Sequence, residues 1–218
     1  MRTTLAVTTE PASEPVSIDL FKQHCRIDSN ADDDLLPGYL VTARVMAEGY
    51  LSRALLRQTL LWTLRPESAL DPDEQSRFQN RLRGVLELPR APVQSIVAVT
   101  TLDWWGNTTT IAAATLPIVP PAPIIGYVAD LQLEPATLLI GGETVLSGGF
   151  ALRCTKLQHV QVSMTAGYAD ADSVPQPTAH AIMMTAAFLY EHRGDAGGTM
   201  PDAATWLLDR TRLQFLGG

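Results

Sequence analysis

Between Asp32 and Leu55 the chain reads DDDLLPGYLVTARVMAEGYLSRAL, the best-specified element of the sequence, and the rest reads most easily as packing around it. Leu36, Tyr39, Leu40, Ala43, Met46, Ala47, Tyr50, Leu51 and Ala54 recur at steps of three and four, which sets them on one stripe of a helix. Asp32, Asp33 and Asp34 crowd its start, where free amides and the positive end of the helix dipole favour carboxylates. Pro37 falls in the opening turn, and Arg53 and Arg57 lie near the negative end. Gly49 is discordant, since a mid-helix glycine costs about 1 kcal/mol relative to alanine. The close approach of another element would account for it. The apolar stripe needs a partner surface, which the rest of the chain is expected to supply.

The remaining pattern supplies both helices and strands. Met1 to Ser13 reads as an extended arm, with the makings of one edge strand. Ser17 offers an N-cap to a short helix through Ile18, Leu20, Phe21, His24 and Cys25, ending near Arg26. After Arg57, Leu60, Trp62 and Leu64 alternate with Thr59, Leu61, Thr63 and Arg65 in a strand stopped by Pro66. Glu67 to Arg83 is polar and predicts a loop with one helical turn around Asp73 to Phe78. Val85 to Leu88 and Val93 to Leu102 are strands joined through Pro89-Arg90-Ala91-Pro92, and Trp105-Gly106-Asn107 turns the chain into Thr108 to Ile111. A meander is the natural result.

Ala112 to Phe150 differs, with prolines crowded between Pro117 and Pro135 and glycine pairs at Gly141-Gly142 and Gly148-Gly149, and it reads as hairpins or an extended excursion. Val160 to Ala166 alternates as the last strand. Thr178 caps a helix to about His192, with Ile182, Met183, Thr185, Ala186, Leu189 and Tyr190 on its apolar face. Gly194 to Gly198 is a flexible joint by composition. A final helix follows Pro201, with Trp206, Leu207, Leu213 and Leu216 toward one side and Leu208 and Phe215 toward another. It is too short to stand alone and too apolar to be a solvated tail, so it requires a groove.

Composition excludes several classes of function. A net charge of -7 opposes non-specific adhesion to DNA or anionic membranes. Charged residues make up 18% of the chain, below the usual quarter, as suits a protein that covers part of itself with copies or partners. Cys25 and Cys154 have no CxxC spacing, and reduced thiols are expected. The first fifteen residues are too weakly charged and apolar for a signal peptide, and no apolar run is long enough for a membrane span.

The common nucleotide, hydrolase and zinc signatures do not occur, so no catalytic residue, cofactor or metal is expected. His24 beside Cys25 would need two distant ligands to hold a metal. The Asp32 to Asp34 run lacks the grammar of a calcium loop and reads as capping. His192 reads as a cation at the helix's negative end, and Tyr190-Glu191-His192-Arg193 as a solvated terminus. Trp104 and Trp105 read as a hairpin tip packed on a neighbour, though with Tyr127 they could serve as platforms of a carbohydrate- or receptor-binding module. An enzyme of unknown type with the Pro/Gly-rich excursion as a lid is a further alternative, with few titratable residues nearby beyond Asp130, Glu134 and Glu143.

Three sets of segments carry a resemblance when taken in order. The first is Glu14-Pro15-Val16-Ser17, Leu20-Phe21-Lys22, His24-Cys25-Arg26-Ile27-Asp28, Asp33-Asp34-Leu35-Leu36 and Ala47 to Leu55. Gln58-Thr59 and Leu88 to Ile96 follow, then Gly167-Tyr168, Val174-Pro175 and Ala187 to Arg193. Together they resemble the head-tail connector, or adaptor, proteins of long-tailed bacteriophages and gene transfer agents. About two thirds of the chain is covered, and residues 68–83 and 112–150 exceed the family pattern.

The resemblance implies an α+β protein of four parts. Residues 1–57 form an arm and a helical pair; 58–166 form an antiparallel β meander inserted between that pair and a late helix; 167–193 complete the helical core; 194–218 hold a joint and a C-terminal docking helix. It implies a structural subunit, not an enzyme. Copies would form a ring, usually of twelve, beneath the portal protein of a virion or phage-like particle assembled in the host cytoplasm. The ring's other face would receive the next connector or tail component, and DNA would pass through its channel without specific binding. Trp206, Leu207, Leu208, Arg210, Arg212, Leu213, Phe215 and Leu216 would dock on the portal. Leu36, Leu40, Tyr50, Leu51, Leu189 and Tyr190 would serve helical-core and ring packing. Deleting Pro201 to Gly218 is expected to leave a folded chain that no longer joins heads.

Overall fold

The computed structural model describes the chain except residues 69, 83, 115–125, 141–144, 147–149, 152–156, 194–199 and 214–218, together with the side chains of 145, 146, 150 and 151. Cys154, Phe215, Leu216, the joint at 194–198 and much of the 112–150 excursion therefore lie outside the described residues. The chain divides into two compact units: residues 1–9 with 58–166, and 10–57 with 167–218.

The first unit is built on a five-stranded antiparallel sheet of β1 (Arg2–Thr9), β2 (Gln58–Arg65), β10 (Leu157–Ala166), β4 (Val93–Asp103) and β5 (Thr108–Ile111), in that spatial order. The order departs from a simple meander, because the last strand in sequence inserts between β2 and β4. Its alternation earns that central place, with Val160, Val162, Met164 and Ala166 buried. Leu60, Trp62 and Leu64 of β2 and Val99 of β4 are buried as well. Leu64 faces Val160 and Leu60 faces Met164 across the ladder. Strand β1 sits at the sheet's edge as the N-terminal arm suggested.

A smaller sheet pairs β3 (Val85–Glu87), β7 (Thr137–Ile140) and β6 (Tyr127–Asp130), and β8 (Val145–Leu146) pairs with β9 (Phe150–Ala151). Helix α3 (Pro72–Leu82) occupies the stretch where periodicity predicted a loop with one helical turn. Its buried stripe is Gln75, Phe78 and Leu82, and the polar first member conceals the spacing. Gln75 Nε2 donates to the Leu157 carbonyl at 2.9 Å, so an amide stands where an apolar side chain would have revealed the helix.

The second unit is helical. It holds α1 (Ile18–Cys25), α2 (Leu36–Leu51), α4 (Gln176–Glu191) and α5 (Asp202–Asp209). Ser17 caps α1 through a bond from the Leu20 amide, and Phe21 is its fully buried anchor. Leu36, Leu40, Ala43, Ala47 and Leu51 of α2 share one core with Ala181, Ile182 and Ala186 of α4 and Ala204 and Leu208 of α5. Helix α4 begins two residues before the expected Thr178 cap. Thr178 is buried inside the first turn, and Pro175 precedes the helix without a side-chain cap. No helix among the described residues is long and apolar enough to cross a membrane.

The helical pair, the late helix packed with it and the inserted antiparallel strands make the α+β fold read from the sequence.

Candidate interaction surfaces of the helical unit

The end of α2 and the end of α5 are clamped together. Tyr50 hydroxyl donates to the Asp209 carboxylate, and the Arg212 guanidinium lies 4.8 Å over the Tyr50 ring. Arg53 Nε donates to the Thr211 carbonyl at 2.7 Å, and the Leu213 amide donates to the Leu51 carbonyl at 3.0 Å. Ser52 closes α2 in the left-handed region at φ 55. The bond to Asp209, reinforced by burial, raises the Tyr50 pKa.

These contacts divide the expected docking residues. Leu208 and Leu213 are buried within the chain and are unavailable to a partner in this conformation. Leu207 is half-buried against the helical core. Trp206 is 60% exposed, with the Arg210 guanidinium 4.8 Å over its ring, and Arg210 and Arg212 are exposed. Thus α5 already has a groove on its own unit, and the part that needed one is the Ala204–Leu208 side. Deleting Pro201 to Gly218 would strip Ala204, Leu208 and Leu213 from that packing, so the truncation tests folding as well as docking.

A second cluster joins the start of α2 to the end of α4. Asp32 accepts from the Tyr190 hydroxyl at 2.7 Å and from Arg193 at 2.9 Å, while Arg193 stacks over the Tyr190 ring at 4.5 Å. Tyr39 meets Tyr190 edge-on. The hydrogen bond from Tyr190, then that from Arg193, lowers the Asp32 pKa, and the same bond raises that of Tyr190. Asp33 pairs with Lys22 at 2.7 Å.

The acidic run therefore ties helices together and does not cap α2, whose first turn has no side-chain cap and no acidic residue. Tyr190 and Arg193 likewise belong to a bonded cluster, not to a solvated helix end. His192 instead stacks on Phe188. Of the residues expected in the helical core or in packing between copies, Leu36, Leu40 and Leu51 are fully covered within the chain, while Leu189, Tyr50 and Tyr190 are half-buried.

One cluster escaped sequence reasoning. Arg44 is buried, and it bonds Glu14 at 2.9 Å and Glu48 at 3.2 Å, with Glu10 at 3.6 Å. Glu48 also accepts from the Leu55 amide at 2.8 Å. The i,i+4 spacing of Arg44 and Glu48 inside an otherwise apolar helix was the available signal.

These bonds explain the two N-terminal motifs. Glu14, Val16 and Ser17 supply an ion partner, a buried side chain and a helix cap. In Ala47 to Leu55, Ala47, Leu51 and Leu55 are core, Glu48 holds Arg44, and Tyr50 and Arg53 hold the C-terminal segment.

Elsewhere, His24 meets His180 edge-on at 5.9 Å, and burial, then the Glu191 charge, raises the Cys25 pKa. Among the described residues no three histidine, cysteine or carboxylate side chains are grouped to hold a metal. Trp104 and Trp105 stand on the β4–β5 turn, Trp105 being 68% exposed, whereas Tyr127 lies half-buried in the smaller sheet.

The helical unit interrupted by an antiparallel sheet thus ends in a helix that presents an exposed tryptophan. Residues 15–95 match the family described as phage gp6-like head-tail connector protein, so the resemblance to head-tail connectors holds over the segment containing α2 with its Arg44 and Glu48. The fold is shared along the whole length with solved chains. One, from the neck of an empty gene transfer agent particle computed with C6 symmetry, is 23% identical with a TM-score of 0.67, covering 99% of this chain and 98% of that one. Another, from the virion of a native gene transfer agent particle, is 24% identical with a TM-score of 0.65, covering 98% of each chain. A third, from the neck of a native particle computed with C12 symmetry, is 23% identical with a TM-score of 0.59, covering 99% and 98%. A comparison with curated proteins finds no match.

Proposed function

We propose that this chain is a structural head-tail connector subunit, one copy of a ring beneath the portal that links a DNA-filled head to a tail. The family match over residues 15–95 carries this reading, and the full-length likeness to chains of gene transfer agent necks agrees with it. The ring sits in the neck of a phage or phage-like particle. Twelve copies suit a chain whose relative was solved in a neck with C12 symmetry. The role requires no catalysis. The acidic balance suits a channel through which DNA passes without being held, because each added phosphate contact would strengthen binding.

Portal docking falls to the exposed side of α5: Trp206, Leu207, Arg210 and Arg212, with Phe215 and Leu216 following. The opposite side of the ring receives the next connector or tail component. Substituting Trp206→Ala tests the docking without disturbing the core, since this ring is mostly solvent-exposed. The variant is expected to melt with the wild type yet fail to co-sediment with portal-bearing heads. Undiminished co-sedimentation would remove the portal assignment.

A further inference from the structure

On α2 the usual distribution of charge is inverted. Its two charged residues, Arg44 and Glu48, are both buried, whereas its exposed side consists of Pro37, Gly38, Val41, Thr42, Val45 and Gly49. Val41 and Val45 are 40% and 53% exposed. Thr42 is exposed, and its hydroxyl donates back to the Gly38 carbonyl at 2.8 Å, inside its own helix. A Cβ added at Gly38 or Gly49 would meet nothing within 4 Å, so no contact among the described residues requires either glycine. A helix apolar on both sides is normally buried on both, and here, among the described residues, one side has no cover.

We infer that this side of α2 is where the next copy of the chain packs in the ring, its glycines admitting a neighbouring element close to the helix backbone. The inference rests on the ring reading above and specifies the surface that builds it. Charge selects the occupant. Each copy carries -7, so contact between copies is opposed wherever carboxylates face one another, and this side of α2 has none. Nucleic acid would find no cation there to meet its phosphates. Ring closure makes the contact head-to-tail, so the α2 side of one copy meets a different surface of the next. With glycine at two positions, helix axes could close toward the lower end of the usual range of about 8–10 Å.

The test uses the full-length chain carrying Val45→Glu or Gly49→Leu, assayed by thermal melting, by native mass, and by the number of labelled copies at particle necks in micrographs. Both variants are expected to melt like the wild type and to associate more than about tenfold less well, the scale of leaving a carboxylate or a misfitting side chain in an apolar contact. Variant necks as fully populated as wild-type ones would overturn the inference. So would unfolding by Val45→Glu, because it would mean that the side is covered within the chain. If the wild type itself is missing from necks, the ring reading fails first and takes this inference with it, and the unsubstituted arm reveals which has happened.

Discussion

Replacing Gly167 with alanine probes the point where β10 hands the chain back to the helical unit. The residue has φ +107, and a Cβ there would stand 2.1 Å from the Leu56 carbonyl oxygen, 2.3 Å from its carbon and 2.8 Å from the Arg57 nitrogen. All three are backbone atoms, so no rotamer change can relieve the clash. Next to it, Leu56 and Tyr168 form a parallel bridge that would have to open. Adopting positive φ costs a non-glycine residue about 1–2 kcal/mol, and forced overpacking about 1–3 more, for a total of about 2–5 kcal/mol. Against a typical stability of about 5–15 kcal/mol, such a loss consumes a large share of the margin. Urea unfolding monitored by circular dichroism should show the midpoint falling with little change of slope. A loss below about 1 kcal/mol would refute the reasoning, since a purely steric backbone conflict cannot be so mild.

Two other perturbations follow from the bonded clusters. Arg44→Met should cost about 3–5 kcal/mol in the same urea assay, because it removes a buried cation that bonds both Glu14 and Glu48. The Asp32 cluster predicts pH dependence at both ends. Its depressed carboxylate pKa means stability that is complete above the unfolded value of about 3.9 and is lost as pH falls through the folded value. The raised Tyr190 pKa means stability that is complete below about pH 10 and is lost as pH rises through its folded value. Asp32→Asn should flatten the acid limb and return the Tyr190 hydroxyl toward its ordinary titration, read by ultraviolet absorbance.

Legibility in the sequence depended on whether a residue's partner was local. The α2 stripe, the Ser17 cap and the β10 alternation are period and neighbour effects, and they could be read directly. Helix α3 was obscured because Gln75 fills a core position through a bond to a residue 82 positions away. Asp32 resembled a cap because its true partners, Tyr190 and Arg193, are remote. Leu208 and Leu213 looked available for docking for a similar reason: an amphipathic segment states that it needs a surface without saying whose. Gly49 misled differently. Among the described residues no close approach meets it, so the expected neighbour is not found there.

The interleaving of the two units has a consequence for biosynthesis. Strand β2 follows the first helices, yet the strand that flanks it on the inner side, β10, emerges about a hundred residues later, with Leu64 facing Val160. The α1–α2 pair likewise waits for α4 and α5 to leave the ribosome. Neither half can therefore close early, and a nascent chain stalled before β10 has neither a completed sheet nor a completed bundle to offer.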